Sequence, residues 1–147
     1  MILLRTLQKG FTLVELLIVI AVIGILAGVV LTAIDPIDKI NSANDAKVNR
    51  DIASIASAAE AWAATRNGTY PTLTELQTPS NGAMKSYPTP PTNYAGYQYV
   101  VDNATSPPTF YVYGENKAKA VGTSTRRLYS SSNGKTCNTT ANITTCP

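Results

Sequence analysis

The hydrophobic pattern changes abruptly near residue 35. From Phe11 to Ile34 the chain reads FTLVELLIVIAVIGILAGVVLTAI, apolar on every side and carrying one charge, Glu15. A helix that is apolar all round has no wet face to offer as the surface helix of a soluble domain. Leu16 to Ile34 alone is long enough to cross a ~30 Å hydrocarbon core at ~1.5 Å per residue. Past Pro36 a helical period takes over. Ile37, Ile40, Val48, Ile52, Ile55, Ala56, Ala59, Trp62 and Ala63 fall on one face, and Lys39, Asp45, Lys47, Asn49, Arg50 and Glu60 on the other. This predicts an amphipathic helix to about Arg66, stopped by Asn67-Gly68, with Trp62 in the core. Unbroken from Phe11 to Arg66, such a rod would extend ~84 Å. A small domain cannot enclose that length, so the first half must project into a membrane or into neighbouring copies.

Two features weaken the rod. Gly24 and Gly28 form a GxxxG pair; each costs about 1 kcal/mol of helix propensity relative to alanine, while small residues also let another helix approach closely. Pro36 has no N–H for the Thr32 carbonyl, and its ring crowds that turn. Asp35 is suited to cap a restarted helix with Pro36 in its first turn, so a kink or break is expected at Asp35-Pro36.

Beyond Asn67-Gly68, Thr72 and Glu75 have capping-box spacing for a short helix. Residues 78–96, rich in Pro, Asn, Thr and Gly, read as a surface loop. Tyr97–Val101 and Thr109–Tyr113 are β-rich runs joined through Ser106-Pro107-Pro108, and Arg126–Ser130 is a third, followed by an Asn133-Gly134 turn. The expected fold class is α+β: a long N-terminal helix packed through its amphipathic half on a small antiparallel sheet.

Composition narrows the function. The 147 residues are enough for one small domain plus the N-terminal segment. The formal charge of +3 includes Arg5 and Lys9; from Phe11 onward the side chains sum to about +1, which argues against nucleic-acid binding as the main driving force. The chain has no His and only two cysteines, Cys137 and Cys146. No metal or nucleophile constellation can be assembled from that inventory, so no enzyme activity and no cofactor are expected. Two nearby cysteines outside a membrane favour a disulfide over a zinc site, worth about 2–3 kcal/mol in the chain-entropy model, with a pair of free thiols as the alternative.

The N-terminus admits three readings. A secretory signal peptide has an apolar core of about 7–15 residues; the run here is longer, and Leu31-Thr32-Ala33, which imitates a cleavage site, lies too far along. A plain membrane anchor fits better: Arg5 and Lys9 precede the span and no Lys or Arg follows until Lys39, which places the N-terminus in the cytoplasm. The anchor does not explain Glu15, which has no partner in the span and costs up to ~3 kcal/mol at a membrane centre, less toward the edge.

The third reading uses residue order. A basic leader ending in Lys9-Gly10, followed by Phe11-Thr12-Leu13-Val14-Glu15 at the head of an apolar helix, resembles the class III signal of type IV pilins and the related pseudopilins. The resemblance implies a leader (residues 1–10) removed by prepilin peptidase between Gly10 and Phe11, with N-methylation of Phe11. It implies a membrane and filament-core helix over residues 11–34 and a globular domain over 35–147. It implies a single-pass precursor in the inner membrane that the pilus assembly machinery polymerises, through the N-terminal helix, into a homo-oligomeric extracellular filament. In this family Glu15 sets axial register by pairing with a neighbour's Phe11 amine, the helix kinks or melts around Gly24, Gly28 and Pro36, and a C-terminal loop is stapled, here by Cys137 and Cys146. A pseudopilin of a type II secretion or competence system shares the motif; the disulfide and the Tyr/Thr/Ser-rich composition favour a pilus. A membrane-anchored binding domain that never polymerises is the reading from another class.

Three further features are weighed. Asn67, Asn103, Asn138 and Asn142 head Asn-x-Thr sequons, which arise by chance in a chain this rich in Asn and Thr. Lys117, Lys119, Arg126, Arg127 and Lys135 form a basic tract, and Tyr111, Tyr113 and Tyr129 offer stacking faces for a weak DNA or surface contact; a solvated strand face is the blander account. Calcium needs clustered oxygen ligands, and only Asp102 and Glu115 follow Glu75.

Overall fold

The computed structural model describes residues 10–78, 82–119, 126–140 and 145–147. The leader with Arg5 and Lys9, and the sequon at Asn142, lie outside the described residues. The elements in chain order are α1 (Leu13–Ile34), α2 (Pro36–Ala64), α3 (Leu73–Gln77), β1 (Gln98–Asp102), β2 (Thr109–Glu115), β3 (Arg126–Ser130) and β4 (Lys135–Thr139). The chain divides into two units, one to Pro36 and one from Ile37 onward.

In the first unit α1 is continuous through Gly24 and Gly28, and no residue of it is buried. The two glycines lower propensity but remove no hydrogen bond, so the ladder survives them. The interruption comes at Asp35, which takes a left-handed conformation (φ 44°, ψ 74°) as the C-terminal cap of α1. α2 starts directly on Pro36, whose missing N–H costs least at a first helical position.

In the second unit four antiparallel strands lie in the order β1-β2-β3-β4. Alternation along β2 buries Phe110, Val112 and Gly114, leaving Tyr111, Tyr113 and Glu115 partly exposed on the other face. The buried set meets Val48, Ile52, Ile55, Ala56 and Ala59 of α2, together with Leu76, Tyr94, Tyr97 and Tyr99, in one core. At Gly114 an added Cβ would lie 2.9 Å from both the Tyr97 ring and Val48, so a bare backbone lets helix and sheet close there. Thr72 and Glu75 form the capping box that starts α3, and Asn67 and Gly68, both at positive φ, end the turn after α2.

Four expectations are corrected. Ile37 and Ile40 are 70% and 61% exposed, not core: the first turns of α2 carry the apolar period, but no apolar residue of the core cluster precedes Val48. Asp45, assigned to the solvent face, is 5% exposed and buried. Trp62 lies outside the core, partly exposed, with the Arg66 guanidinium 3.3 Å above its ring; a flat cation one turn further on covers the indole where the sheet does not. A fourth strand, β4, pairs with β3 from Ser130↔Lys135 to Arg126↔Thr139. Its sequence, KTCNT, carries no apolar alternation, and the Asn133-Gly134 turn folds it back onto β3.

Candidate functional site

The N-terminal segment is built around Thr12 and Glu15. Thr12 is extended, and its hydroxyl accepts the Glu15 N–H at 3.2 Å. In return the Glu15 carboxylate accepts the Thr12 N–H at 3.0 Å and the Thr12 hydroxyl at 2.9 Å. This reciprocal cap satisfies two otherwise orphaned donors at the helix start. It also corrects the view of Glu15 as a carboxylate without a local partner. Phe11 is 81% exposed beside it. Among the described residues, Cβ atoms added at Gly10, Gly24 or Gly28 would meet nothing within 4 Å, so packing against those residues does not require glycine at any of the three.

Asp45 is the polar centre of the second unit. Its carboxylate accepts the Tyr94 hydroxyl at 2.7 Å, the Lys117 N–H at 3.0 Å and the Ala118 N–H at 2.9 Å, tying α2 to the chain that leaves β2. Two more carboxylates of α2 take phenols from the core side: Asp51 accepts from Tyr97 at 2.6 Å and from Lys47 at 2.7 Å, and Glu60 accepts from Tyr129. Burial pushes the phenols of Tyr94, Tyr97 and Tyr129 well above their usual range, and the carboxylates beside them push the same way. Burial also raises Tyr99 and Tyr87. A folded state that holds these protons more tightly than the unfolded chain keeps this stabilisation in full below the unfolded value near pH ~10 and loses it as pH rises past that. In an alkaline titration followed at 295 nm, these five tyrosines are expected to ionise only as the domain unfolds, in a step coincident with loss of the far-ultraviolet circular dichroism signal. Smooth ionisation of all eight tyrosines near pH ~10 with the fold intact would refute this.

The C-terminus is stapled. Cys137 and Cys146 are disulfide-bonded across nine positions, with Cα atoms 5.6 Å apart. Asn133 donates to the Cys146 carbonyl at 2.6 Å and accepts the Lys135 N–H at 3.2 Å, so the turn before β4 also anchors the loop. The Cys146 sulfur lies 3.7 Å from the Leu128 carbonyl oxygen, and Leu128 and Ser130 are buried.

The basic tract does not stay together. Arg127 faces the α2 side of the sheet and binds Asn138 and Thr136. Tyr129, also on that side, packs on Phe110 with ring centroids 5.6 Å apart. Lys117 reaches the Asn93 carbonyl, lies 3.5 Å from Glu115 and sits 4.9 Å above the Tyr94 ring. The Lys119 N–H donates to Asp38 at 2.6 Å. Arg126 and Lys135 share the opposite face with Tyr111 and Tyr113. Two sequon asparagines are engaged: Asn103 bonds both backbone groups of Tyr70, and Asn138 accepts from Asn116 and Arg127. Asn67 is exposed.

In comparisons with known proteins, residues 5–31 match the prokaryotic N-terminal methylation motif. No curated protein and no solved structure matches the chain. The matched segment takes in Gly10, Phe11, the Thr12–Glu15 cap and most of α1, whose length and composition suffice to cross a membrane. That motif, the class III signal of type IV pilins, supports placing this chain in the type IV pilin and pseudopilin family.

Proposed function

We propose that the chain is a structural subunit of a type IV pilus, major or minor. It is held in the inner membrane with its N-terminus in the cytoplasm, cut between Gly10 and Phe11, N-methylated on Phe11, and polymerised through α1 into a surface filament. The observation that carries this reading is the state of α1. All of its large apolar side chains are about half or more exposed, Leu13 80% and Leu31 67% among them, while the second unit has a closed core of its own. Lipid before assembly and other copies of α1 afterwards are the two surroundings that cover such a surface. Gly24 and Gly28, where an added Cβ would meet nothing among the described residues, suit close approach of a neighbouring helix.

Mass spectrometry of sheared surface fibres tests this reading. Fibres containing this chain, beginning at methylated Phe11, are the expected result. A precursor cut and methylated at Phe11 but confined to short periplasmic assemblies would instead identify a pseudopilin. A chain that retains residues 1–10 and never polymerises would defeat both. The cut site is tested separately by Gly10→Val. Since a Cβ at Gly10 meets nothing among the described residues, the substitution is expected to leave the fold alone and act on the peptidase. A full-length precursor should accumulate in the membrane, and a mature mass of normal size would move the cut elsewhere.

A further inference from the structure

Among the described residues, the apolar core takes hold of α2 at Val48, so the turns before it are held by polar contacts instead. Ile37 and Ile40 lie largely bare on those turns, and lifting them from the domain would uncover little more apolar surface. The chain that leaves β2 ties them down. Its successive N–H groups meet two carboxylates of α2 that stand seven residues apart, two turns along one face. Lys117 and Ala118 donate to Asp45 at 3.0 and 2.9 Å, and Lys119 donates to Asp38 at 2.6 Å. The Tyr94 hydroxyl lies 2.7 Å from the Asp45 carboxylate and 3.3 Å from the Asn41 carbonyl.

The two clasps differ in what stands behind them. Asp45 is buried with Asn116 and Ala118, and Val48 follows within one turn. Asp38 and the Lys119 N–H meet at the surface, where water competes for both groups. The helix between the clasps is weak in its own sequence. Ile37–Asn44 reads IDKINSAN, whose Asp, Asn and Ser side chains compete for backbone groups. Pro36 has no N–H and Asp35 leaves the helical conformation, so the ladder is also interrupted at the N-terminal end of this stretch.

We infer that Ile37–Asn44 is a latched tether, closed on the domain through Asp38 and the Lys119 N–H, that opens as one unit while the core stays intact. The surface clasp sets how often it opens, and the buried clasp at Asp45 is where opening stops. Opening frees eight residues, or ~12 Å of helix, and so lengthens the polar stretch ahead of the core. The device lies within the second unit and is independent of whether the chain assembles into fibres.

Hydrogen exchange of the full chain in a nonionic detergent, read by mass spectrometry with residue-level fragmentation, tests the latch. The N–H groups of Ile40–Asn44, which have carbonyl partners available within α2, should exchange about a hundredfold faster than those of Ile52–Ala59, each relative to free peptide. They should also exchange together, whereas simple fraying gives protection that climbs steadily from Ile40 to Val48. Lys119→Pro deletes the donor of the surface clasp and leaves Asp38 its charge. Asp38→Asn keeps the side-chain shape and weakens the acceptor. Each should speed exchange of Ile40–Asn44 about fivefold and leave Ile52–Ala59 at the parent rate. The inference is overturned if the parent protects Ile40–Asn44 as well as Ile52–Ala59, or if protection climbs steadily along the stretch. It is equally overturned if a clasp variant with the parent melting temperature exchanges as the parent does, or if the variants speed both segments alike.

Discussion

A strain expressing only Glu15→Ala should cut and insert its precursor normally and yet form fibres at a small fraction of the parent number. On the function proposed above, cleavage between Gly10 and Phe11 would create an amine on Phe11, largely cationic at neutral pH and still basic when methylated. It lies four residues from Glu15, about 6 Å along a helix. In the proposed filament, a neighbour displaced along the axis by that distance would bring its own amine to the carboxylate. Breaking a charge pair in a dry interior costs on the order of 3–5 kcal/mol, because the partner is left buried and alone, or more than a hundredfold in each subunit contact. The structure adds a competing role that must be separated from this one. Glu15 also caps α1 through Thr12, and losing a cap costs about 1 kcal/mol. Thr12→Ala removes the hydroxyl half of that cap and keeps the carboxylate, so it should assemble far better than Glu15→Ala. Glu15→Gln keeps an acceptor for Thr12 and loses the charge, and it should fail nearly as badly as alanine. Fibre counts from the three strains decide the matter: parent numbers from Glu15→Ala would defeat the pairing role, and equal defects in Thr12→Ala and Glu15→Ala would reduce it to capping.

The largest effect on stability is expected at Asp45. Asp45→Ala leaves the Tyr94 hydroxyl and the N–H groups of Lys117 and Ala118 facing a buried void with no acceptor. A buried donor stripped of its partner costs about 1–3 kcal/mol, and more when the lost partner was charged. A total near 3 kcal/mol is expected, on the order of 10 °C in the melting temperature of a domain this size. Tyr94→Phe removes one donor and leaves the carboxylate with its two N–H partners, so it should cost about 1 kcal/mol. Thermal melting of the two variants checks the order, and an Asp45→Ala protein as stable as the parent would show that water replaces the carboxylate without loss.

Most of the elements were legible in the sequence because their signals are local. The all-round apolar run, the period of α2, the capping box at Thr72, the Asn67-Gly68 stop and the alternation of Phe110 and Val112 with Tyr111 and Tyr113 each depend on residues a few positions apart. β4 was not legible, because KTCNT has no alternation of its own and is a strand only by virtue of its pairing with β3. Asp45 illustrates the same limit. It stands three residues before Val48, on the side of α2 that the sheet covers, but only the return of the chain at Lys117 and Ala118 gives a carboxylate there a reason to be buried.

The sequence by itself determined where the chain is apolar all round, where α2 is amphipathic, which residue pairs cap and turn the backbone, and which motif opens α1. The tertiary structure alone decided how much of each apolar face is covered. The core cluster begins on α2 at Val48, so Ile37 and Ile40 stay bare despite keeping the period. Trp62 finds Arg66 in place of the core. It decided as well that Arg126 joins Tyr111 and Tyr113 on one face while Arg127, adjacent in sequence, points to the other. The physical reason is the reach of each signal. Propensity and periodicity are properties of a single segment, whereas burial and side-chain company are set by the surface that a distant segment brings.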